Sequence, residues 1–160
     1  MKTVSQKLAI VNDYLEAATV PIEVVQLAKR LGLRVFNAPW PDSVSGKIQR
    51  DPKHGGDSGF AIFVNQTHSH VRRRFTIAHE IGHYVLHESQ IGDGIFDDAL
   101  YRSGLSNAVE AQANRMAADI LMPRPLLDRY VTINGSDPAR LAKIFDVSEA
   151  AMKIRLGLNT

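Results

Sequence analysis

The residues with the clearest chemical potential are His79, Glu80 and His83, which stand in the order His-Glu-x-x-His. Residues four positions apart lie on nearly the same side of a helix, so both imidazoles can reach one cation if this segment is helical. Glu80 would then face a water at the cation without being a ligand itself. We therefore predict a catalytic zinc site in which Glu80 is the general base that acts on this water.

The site needs a third ligand, because a catalytic zinc ion usually takes three protein ligands and keeps one position open. His87 lies eight residues after His79, about 12 Å further along a helix, which is too far for both to bind one ion easily. We expect His87 to lie beside a ligand or at the surface. Glu110 is the favoured ligand, because small residues on the helix that it opens allow close packing. An alternative stays open, in which Asn107 caps that helix and Glu110 completes a capping box.

Other residues are candidates for supporting roles. Asn114 could accept a hydrogen bond from a ligating histidine and fix its tautomer, or satisfy a backbone group at a helix interface. Tyr84, Tyr101 and Tyr130 could donate to an oxyanion, although we expect each of them to serve packing. The three arginines at 72–74 could contact an acidic partner or nucleic acid, but we expect them to form a solvated helix face with one member in an ion pair.

The elements that must position these residues follow from the periodicity of apolar residues. Helices are predicted over 4–18, from Pro21 to Gly32, over 69–87, over 107–121, and as three short segments between 125 and 156. Strands are predicted at 33–36, 44–49 and 60–64, with an excursion between about 88 and 106. The expected fold class is α+β, with a small antiparallel three-stranded sheet packed on a zincin-like pair of helices and additional short C-terminal helices. Gly82, between the two histidines, would allow another backbone to approach closely.

Composition narrows the possibilities. The chain has 160 residues, of which 44% are hydrophobic and 22% charged, so we predict one globular domain over 1–160. It has no cysteine, and a metal site must therefore use histidine and carboxylate ligands. No long apolar run or apolar leader is present, which predicts a soluble, cytoplasmic protein. The net charge of +2 is a small excess and does not indicate a nucleic-acid partner.

The last helices, at about 136–156, have the pattern of a helix-turn-helix, with Ser148 as the N-cap of the second helix. The face formed by Met152, Ile154 and Leu156 is largely apolar. We therefore expect these helices to dock on the core, and we expect no direct binding of DNA.

The segment FTIAHEIGHYVLH, followed by EAQANRMAADILMP, resembles the ImmA/IrrE-type metallopeptidases, and weaker similarity extends over most of residues 20–156. The resemblance implies a gluzincin-like site in which His79, His83 and Glu110 bind Zn²⁺ and Glu80 is catalytic. Many members have two acids two residues apart at the start of the later helix, whereas this chain has Glu110 and Gln112. The chain is also short for the family, so we expect a partner to present its target.

The function expected from this resemblance is intracellular endopeptidase activity. Members typically cleave or inactivate helix-turn-helix (Xre-like) repressors in stress responses, mobile elements or toxin–antitoxin loci. We expect a protein substrate or partner of this kind, added as an extra strand beside the 60–64 strand, and no membrane partner. The alternative is a regulatory or toxin-like module that binds a repressor through the same fold without cutting it.

Overall fold

The computed structural model describes residues 1–92, 94–98 and 106–158, and these residues form seven helices and four strands. The helices are α1 (Val4–Ala17), α2 (Val24–Arg30), α3 (His70–Ile91), α4 (Asn107–Leu121), α5 (Arg124–Asn134), α6 (Pro138–Phe145) and α7 (Glu149–Arg155). The strands are β1 (Leu33–Ala38), β2 (Val44–Arg50), β3 (Phe60–Asn65) and β4 (Ile95–Asp98). The predicted α+β class is confirmed. None of the described helices is long and apolar enough to cross a membrane.

Local signals in the sequence set the ends of several helices. Thr3 begins α1 with a capping box, since its hydroxyl accepts from the backbone N–H of Gln6 while its own N–H donates to the Gln6 side chain. Gly32 follows α2 with φ of 80°, a left-handed conformation that favours glycine, and the predicted end of this helix is confirmed. Ser69 caps α3 by accepting from the backbone N–H of Arg72.

The sheet differs from the predicted one in direction and size. Its strand order is β1-β3-β2-β4, with β1 parallel to β3 and both other pairs antiparallel, so it is a mixed sheet of four strands. The hairpin of β2 and β3 pairs locally and leaves the other side of β3 to β1. Because β2 lies between β1 and β3 in the sequence, the connection is long enough for these two strands to run parallel. Alternation of side chains within a strand does not indicate the direction of its neighbour, which explains the error. The prediction of a mere excursion after α3 was also wrong at 95–98, where β4 pairs with β2.

This strand order also corrects the predicted position of a substrate strand. β3 lies between β1 and β2, so the 60–64 segment is already hydrogen-bonded on both sides. A central strand is buried on both faces, and all but one of the residues of β3 are buried. An added strand cannot pair there. Within the described sheet, β4 is the edge strand next to β2.

Helix α3 lies between the sheet and α4 and provides much of the core. Its residues Ala78, Ile81 and Val85 are fully buried in one cluster with apolar side chains of the sheet and the other helices. Where α4 crosses α3, a Cβ at Gly82 would lie 3.1 Å from the carbonyl oxygen of Ala113 and 3.3 Å from its Cα. The prediction that Gly82 permits close approach of another backbone is therefore confirmed.

Two buried cations hold α3 near its ends. Lys7 of α1 is 2% exposed and donates to the carbonyl of Tyr84 at 3.1 Å and to Glu88 at 2.8 Å. Near the start of α3, Arg74 is buried and donates to the carbonyl oxygens of Ile22 at 2.7 Å and Asp146 at 2.9 Å. Buried charges need such partners, because loss of hydration is costly. Neither anchor of α3 was predicted as a buried cation.

The C-terminal helices confirm part of the prediction and correct another. Three short helices, α5, α6 and α7, are present, and Ser148 caps α7 by accepting from the backbone N–H of Ala151. Met152 is fully buried in the core, as expected. Ile154, however, is 71% exposed, because it points away from the face that α7 packs on the core. The assignment of 1–160 to a single domain stays a prediction.

Gly46 of β2 marks the closest approach of the sheet to α3. A Cβ there would lie 2.5 Å from Cγ2 of Thr76 and 3.1 Å from the carbonyl oxygen of Phe63. We expect Gly46→Ala to lower the free energy of unfolding by about 1–3 kcal/mol through overpacking. Thr76→Ser alone should cost about 1 kcal/mol for the lost buried methyl group. The measurement is urea denaturation of both single variants and the double variant.

In the double variant, the serine leaves room for the new methyl group. Its loss of stability should therefore be smaller than the sum of the two single losses, by at least about 0.5 kcal/mol. Strict additivity would contradict the contact that the structure places between these two positions.

Candidate metal centre

Helix α3 brings the two histidines of the motif onto one face. Both are buried, with His79 7% exposed and His83 fully buried, and their ring centroids lie 4.7 Å apart. The Nε2 atoms of both rings point toward Glu110 of α4. The expected helical setting of the His-Glu-x-x-His pattern is therefore confirmed, because the segment lies wholly inside α3.

Glu110 reaches these histidines from the first turn of α4. Its Oε2 lies 3.3 Å from Nε2 of His79, and its Oε1 lies 3.1 Å from Nε2 of His83. The capping-box alternative is wrong, since Ser106, rather than Asn107, caps α4, and its hydroxyl accepts from the backbone N–H of Val109. The Glu110 side chain is thus directed to the imidazoles instead of to the end of its own helix.

The three side chains fit a metal ion by the chemistry of their donors. One ligand atom from each of His79, His83 and Glu110 can be chosen so that all lie within 4.8 Å of one another, and all three residues are buried. Two imidazole nitrogens and a carboxylate oxygen are a usual donor set for catalytic zinc. In a tetrahedral zinc site, adjacent donors lie about 3.3 Å apart, which is close to the two nitrogen–oxygen distances here. The geometry therefore suits a small divalent cation.

The electrostatics of Glu110 favour its charged form. Burial alone would raise the pKa of this carboxyl, but without a cation, hydrogen bonds and charge from the protonated rings of His79 and His83 hold the pKa well below its usual range. A ligand carboxylate must be deprotonated to bind a cation. Glu110 is therefore in the state that a metal site requires.

Hydrogen bonds on the far side of each ring direct its Nε2 inward. Nδ1 of His79 lies 2.8 Å from Oδ1 of Asn114, an acceptor, so this nitrogen carries the proton. The predicted contact of Asn114 with a ligand candidate is confirmed. In the neutral ring, Nε2 then keeps its lone pair for a cation.

The second ring is oriented by a chain of two residues. Nδ1 of His83 lies 3.2 Å from Nδ1 of His87, whose Nε2 lies 2.7 Å from Oε1 of Gln112. Because Gln112 accepts from Nε2 of His87, Nδ1 of His87 accepts from Nδ1 of His83. His87 is 4% exposed and lies beside a ligand candidate, which is one of the two positions expected for it. The role of Gln112 was not predicted, because nothing in the sequence pairs it with His87.

Glu80 lies on the face of α3 that turns toward β2. It is fully buried, and a Cβ at Gly46 would lie 3.7 Å from its Cγ. The carboxylate therefore lies near the junction of the sheet and the two histidines that flank it in sequence. This position, removed from bulk water, is compatible with the predicted role of a base.

The other predicted site residues lie elsewhere. Tyr84 is buried beneath Lys7, whose Nζ lies 4.3 Å from the centroid of the tyrosine ring. Burial raises the pKa of this phenol. Tyr130 packs against Phe145. These two tyrosines therefore serve packing, as expected, while Tyr101 lies outside the described residues. Of the arginines at 72–74, Arg74 pairs with Asp146 at 3.4 Å, as expected for one member, but it is buried and not part of a solvated face.

The chain is similar in sequence to a family of known proteins. Residues 28–157 match the family described as the IrrE N-terminal-like domain. The radiation response metalloprotease IrrE of Deinococcus radiodurans is 36% identical over 109 residues, which are 63% of this chain and 30% of that protein. The protein of the same description from Deinococcus deserti is 32% identical over 117 residues, 69% of this chain and 38% of its own length. The matches thus span well under half of these relatives.

A solved structure is also similar in fold. It is described as a Mycobacterium tuberculosis transcriptional regulator, and it superposes with a TM-score of 0.61 at 19% identity. The superposition covers 95% of this chain and 46% of the other. At this identity, the similarity concerns the fold alone.

The chain from His83 through His87 to Gln112 generates a prediction about metal affinity. We expect Gln112→Leu, which removes the acceptor, to weaken zinc binding by about 10-fold or more, as loss of an outer hydrogen bond typically does. Gln112→Glu keeps an acceptor and should bind zinc at least as tightly as the wild type. Competition with a chromophoric chelator measures both affinities. Equal weakening by the two substitutions would contradict the assigned direction of these hydrogen bonds.

Proposed function

This chain belongs to the ImmA/IrrE-type metallopeptidase family, and we propose that it is a zinc-dependent endopeptidase that cuts a helix-turn-helix transcriptional repressor. The observation that supports this most is the convergence of His79, His83 and Glu110, all buried, on one small volume. Glu80 stands next to His79 on the same helix. The proposed ligands are these three residues, and the proposed catalytic base is Glu80.

Each side chain has a distinct part in the proposed hydrolysis. Bound zinc supplies Lewis acidity, which lowers the pKa of a water and polarises the scissile carbonyl. Glu80 accepts a proton from the water as its oxygen attacks the carbonyl carbon, and then gives that proton to the nitrogen of the leaving amine as the C–N bond breaks. His79, His83 and Glu110 hold the cation, while Asn114 and His87 keep the two rings oriented.

The substrate backbone is proposed to add to β4 instead of the 60–64 strand. β4 ends the described sheet beside β2, and β2 in turn lies over Glu80 at Gly46. Strand addition supplies main-chain hydrogen bonds and needs an edge strand. This position therefore joins a docking edge to the proposed base without displacing any paired strand.

Similarity to known proteins supports two parts of the proposal. These are a transcriptional regulator as the substrate and a stress response as the setting of the reaction. The two relatives are named for a radiation response, which favours a stress-response setting over the mobile-element and toxin–antitoxin settings. The regulator as substrate is proposed from the resemblance to the family, whose members typically act on such repressors. We propose that the reaction takes place in the cytoplasm, where such a regulator meets its operator.

Substitution of Glu80 tests the mechanism directly. Glu80→Gln keeps the shape of the side chain but cannot take a proton, so it should bind about one zinc per chain and lose roughly 10²–10⁴-fold in cleavage rate. His79→Ala should lose both zinc and activity. Zinc content is measured by atomic emission, and new peptide termini are measured by mass spectrometry on a proteome-derived peptide library and on purified helix-turn-helix regulators.

Two outcomes would contradict the proposal. If Glu80→Gln cuts as fast as the wild type, Glu80 is not the base. If the zinc-loaded wild type cuts nothing, yet Glu80→Gln still relieves repression in a reporter assay, the chain is a binding module that inactivates its partner without cleavage.

A further inference from the structure

A groove lies beside the metal centre, and most of the residues that line it have no part in the proposed hydrolysis. It has a volume of about 760 Å³ and lies between the first turns of α3, the later turns of α4, and α7. Apolar side chains form much of its wall, among them Phe75, Leu121 and Ile154. Ile154 is 71% exposed, so the α7 side of the groove presents an uncovered apolar surface.

The charged side chains that line this groove have one sign. Among the described residues that line it, four are arginines and none is acidic. Arg155 is held by Asp119 at 2.9 Å and by the carbonyl of Met122 at 3.1 Å. Arg72 and Arg115 are both exposed and lie on different walls, one on α3 and the other on α4. The groove is therefore apolar, with exposed arginines on two of its walls.

The groove is also joined to the metal centre by one residue. Asn114 lines the groove and is the residue whose Oδ1 accepts from Nδ1 of His79. A polypeptide bound in the groove would therefore lie within one side chain of a proposed ligand. A protein bound in the groove therefore lies close to the site of hydrolysis.

We propose that this groove docks an amphipathic helix with acidic flanks in the protein that the site cuts, an inference that rests on the proposed function. The walls are mainly helices and their capping residues, so the groove offers side chains and no strand edge. A helix satisfies its own main chain and can enter such a groove with an apolar ridge, whereas an extended peptide would leave its main-chain groups unpaired over the apolar wall. Carboxylates on both sides of that ridge would meet Arg72 and Arg115 in charge-assisted hydrogen bonds.

A nucleic acid fits the groove less well. Its phosphates would have to cover the apolar wall that includes Phe75 and Ile154, and the net charge of the chain is only +2. Affinity for nucleic acid comes mainly from contacts between many basic side chains and phosphates. DNA binding is therefore an outcome that the experiment must distinguish.

Binding is tested with synthetic helices of about four turns. The first has leucines along one face and glutamates at its borders, the second has lysines in place of the glutamates, and the third contains a central proline. Glu80→Gln serves as the host protein, so that no probe is cut. Fluorescence anisotropy should show the acidic helix bound at least about 10-fold more tightly than the other two, as expected for paired charges and a preformed ridge.

Three variants of this host locate the binding. The pair Arg72→Glu and Arg115→Glu, and separately Ile154→Ser, should each weaken binding of the acidic helix by about 10-fold. Arg72 is the third residue of α3, where a glutamate suits the helix dipole, so the pair should remain folded. Arg129→Glu is the matched control, because Arg129 is exposed on α5 and does not line the groove; it should bind like the host.

The proposal fails if the acidic and basic helices bind equally, or if the groove variants bind as the control does. It also fails if a DNA duplex displaces the acidic helix and itself loses binding in the groove variants, because the groove would then be a nucleic-acid surface. Thermal unfolding of every variant shows that a loss of binding is not a loss of fold.

A second measurement separates this proposal from the function on which it rests. A peptide cut by the wild type is joined to the acidic helix, and kcat/KM is compared with that of the peptide alone. We expect a ratio of about 10 in the wild type and a ratio near one when the same groove substitutions are made in the wild type instead of in the Glu80→Gln host. A ratio near one in the wild type would overturn the role in presenting substrate. If neither peptide is cut but the acidic helix still binds, the proposed hydrolysis fails and the docking surface stands.

Discussion

The contact between α3 and α4 at Gly82 is the constraint on which the metal centre depends. The carbonyl oxygen of Ala113 occupies the space in which a side chain of residue 82 would begin. Glu110 lies three residues before Ala113, almost one turn of α4, so this contact also sets the distance between its carboxylate and the imidazoles of α3. A larger residue at 82 would separate the helices and with them the three donors. Glycine normally costs a helix about 1 kcal/mol relative to alanine, and here that cost is offset by the position it gives to Glu110.

The hydrogen bonds around this contact run from outer acceptors to the inner imidazole rings. Asn114 and Gln112 are fixed acceptors at the periphery, and each determines which nitrogen of the next ring carries a proton. Both lie on α4, as does Glu110, so one helix supplies a candidate ligand and the orientation of both rings. In a buried site, such hydrogen bonds are stronger than in water, and a partly satisfied network would be costly. The helix that completes the donor set therefore also prepares the two histidines for a cation.

The sequence predicted the parts of this site that follow from local rules. His79 and His83 are related by one turn of one helix, and Gly82 shows by its type that another backbone comes close. Parallel pairing of β1 with β3 depends on how distant strands meet, and no periodicity within either strand encodes it. β4 has only four residues, too few for alternation to distinguish it from a loop. The exposure of Ile154 was missed for a related reason, since an apolar residue on a short helix can face either the core or a partner.

The two buried cations explain how α3 can be both the centre of the core and the support of a precise site. Arg74 donates to carbonyl oxygens from two distant segments, and Lys7 donates to a carbonyl and a carboxylate near the other end of the helix. Apolar packing tolerates small sliding, because many arrangements bury similar areas. A buried charge does not, since a shift of an ångström or two would leave it without its acceptors at a cost of several kcal/mol. The cations therefore fix the position of α3 along its axis, and the hydrophobic core then determines only how closely the sheet and α4 approach the histidines.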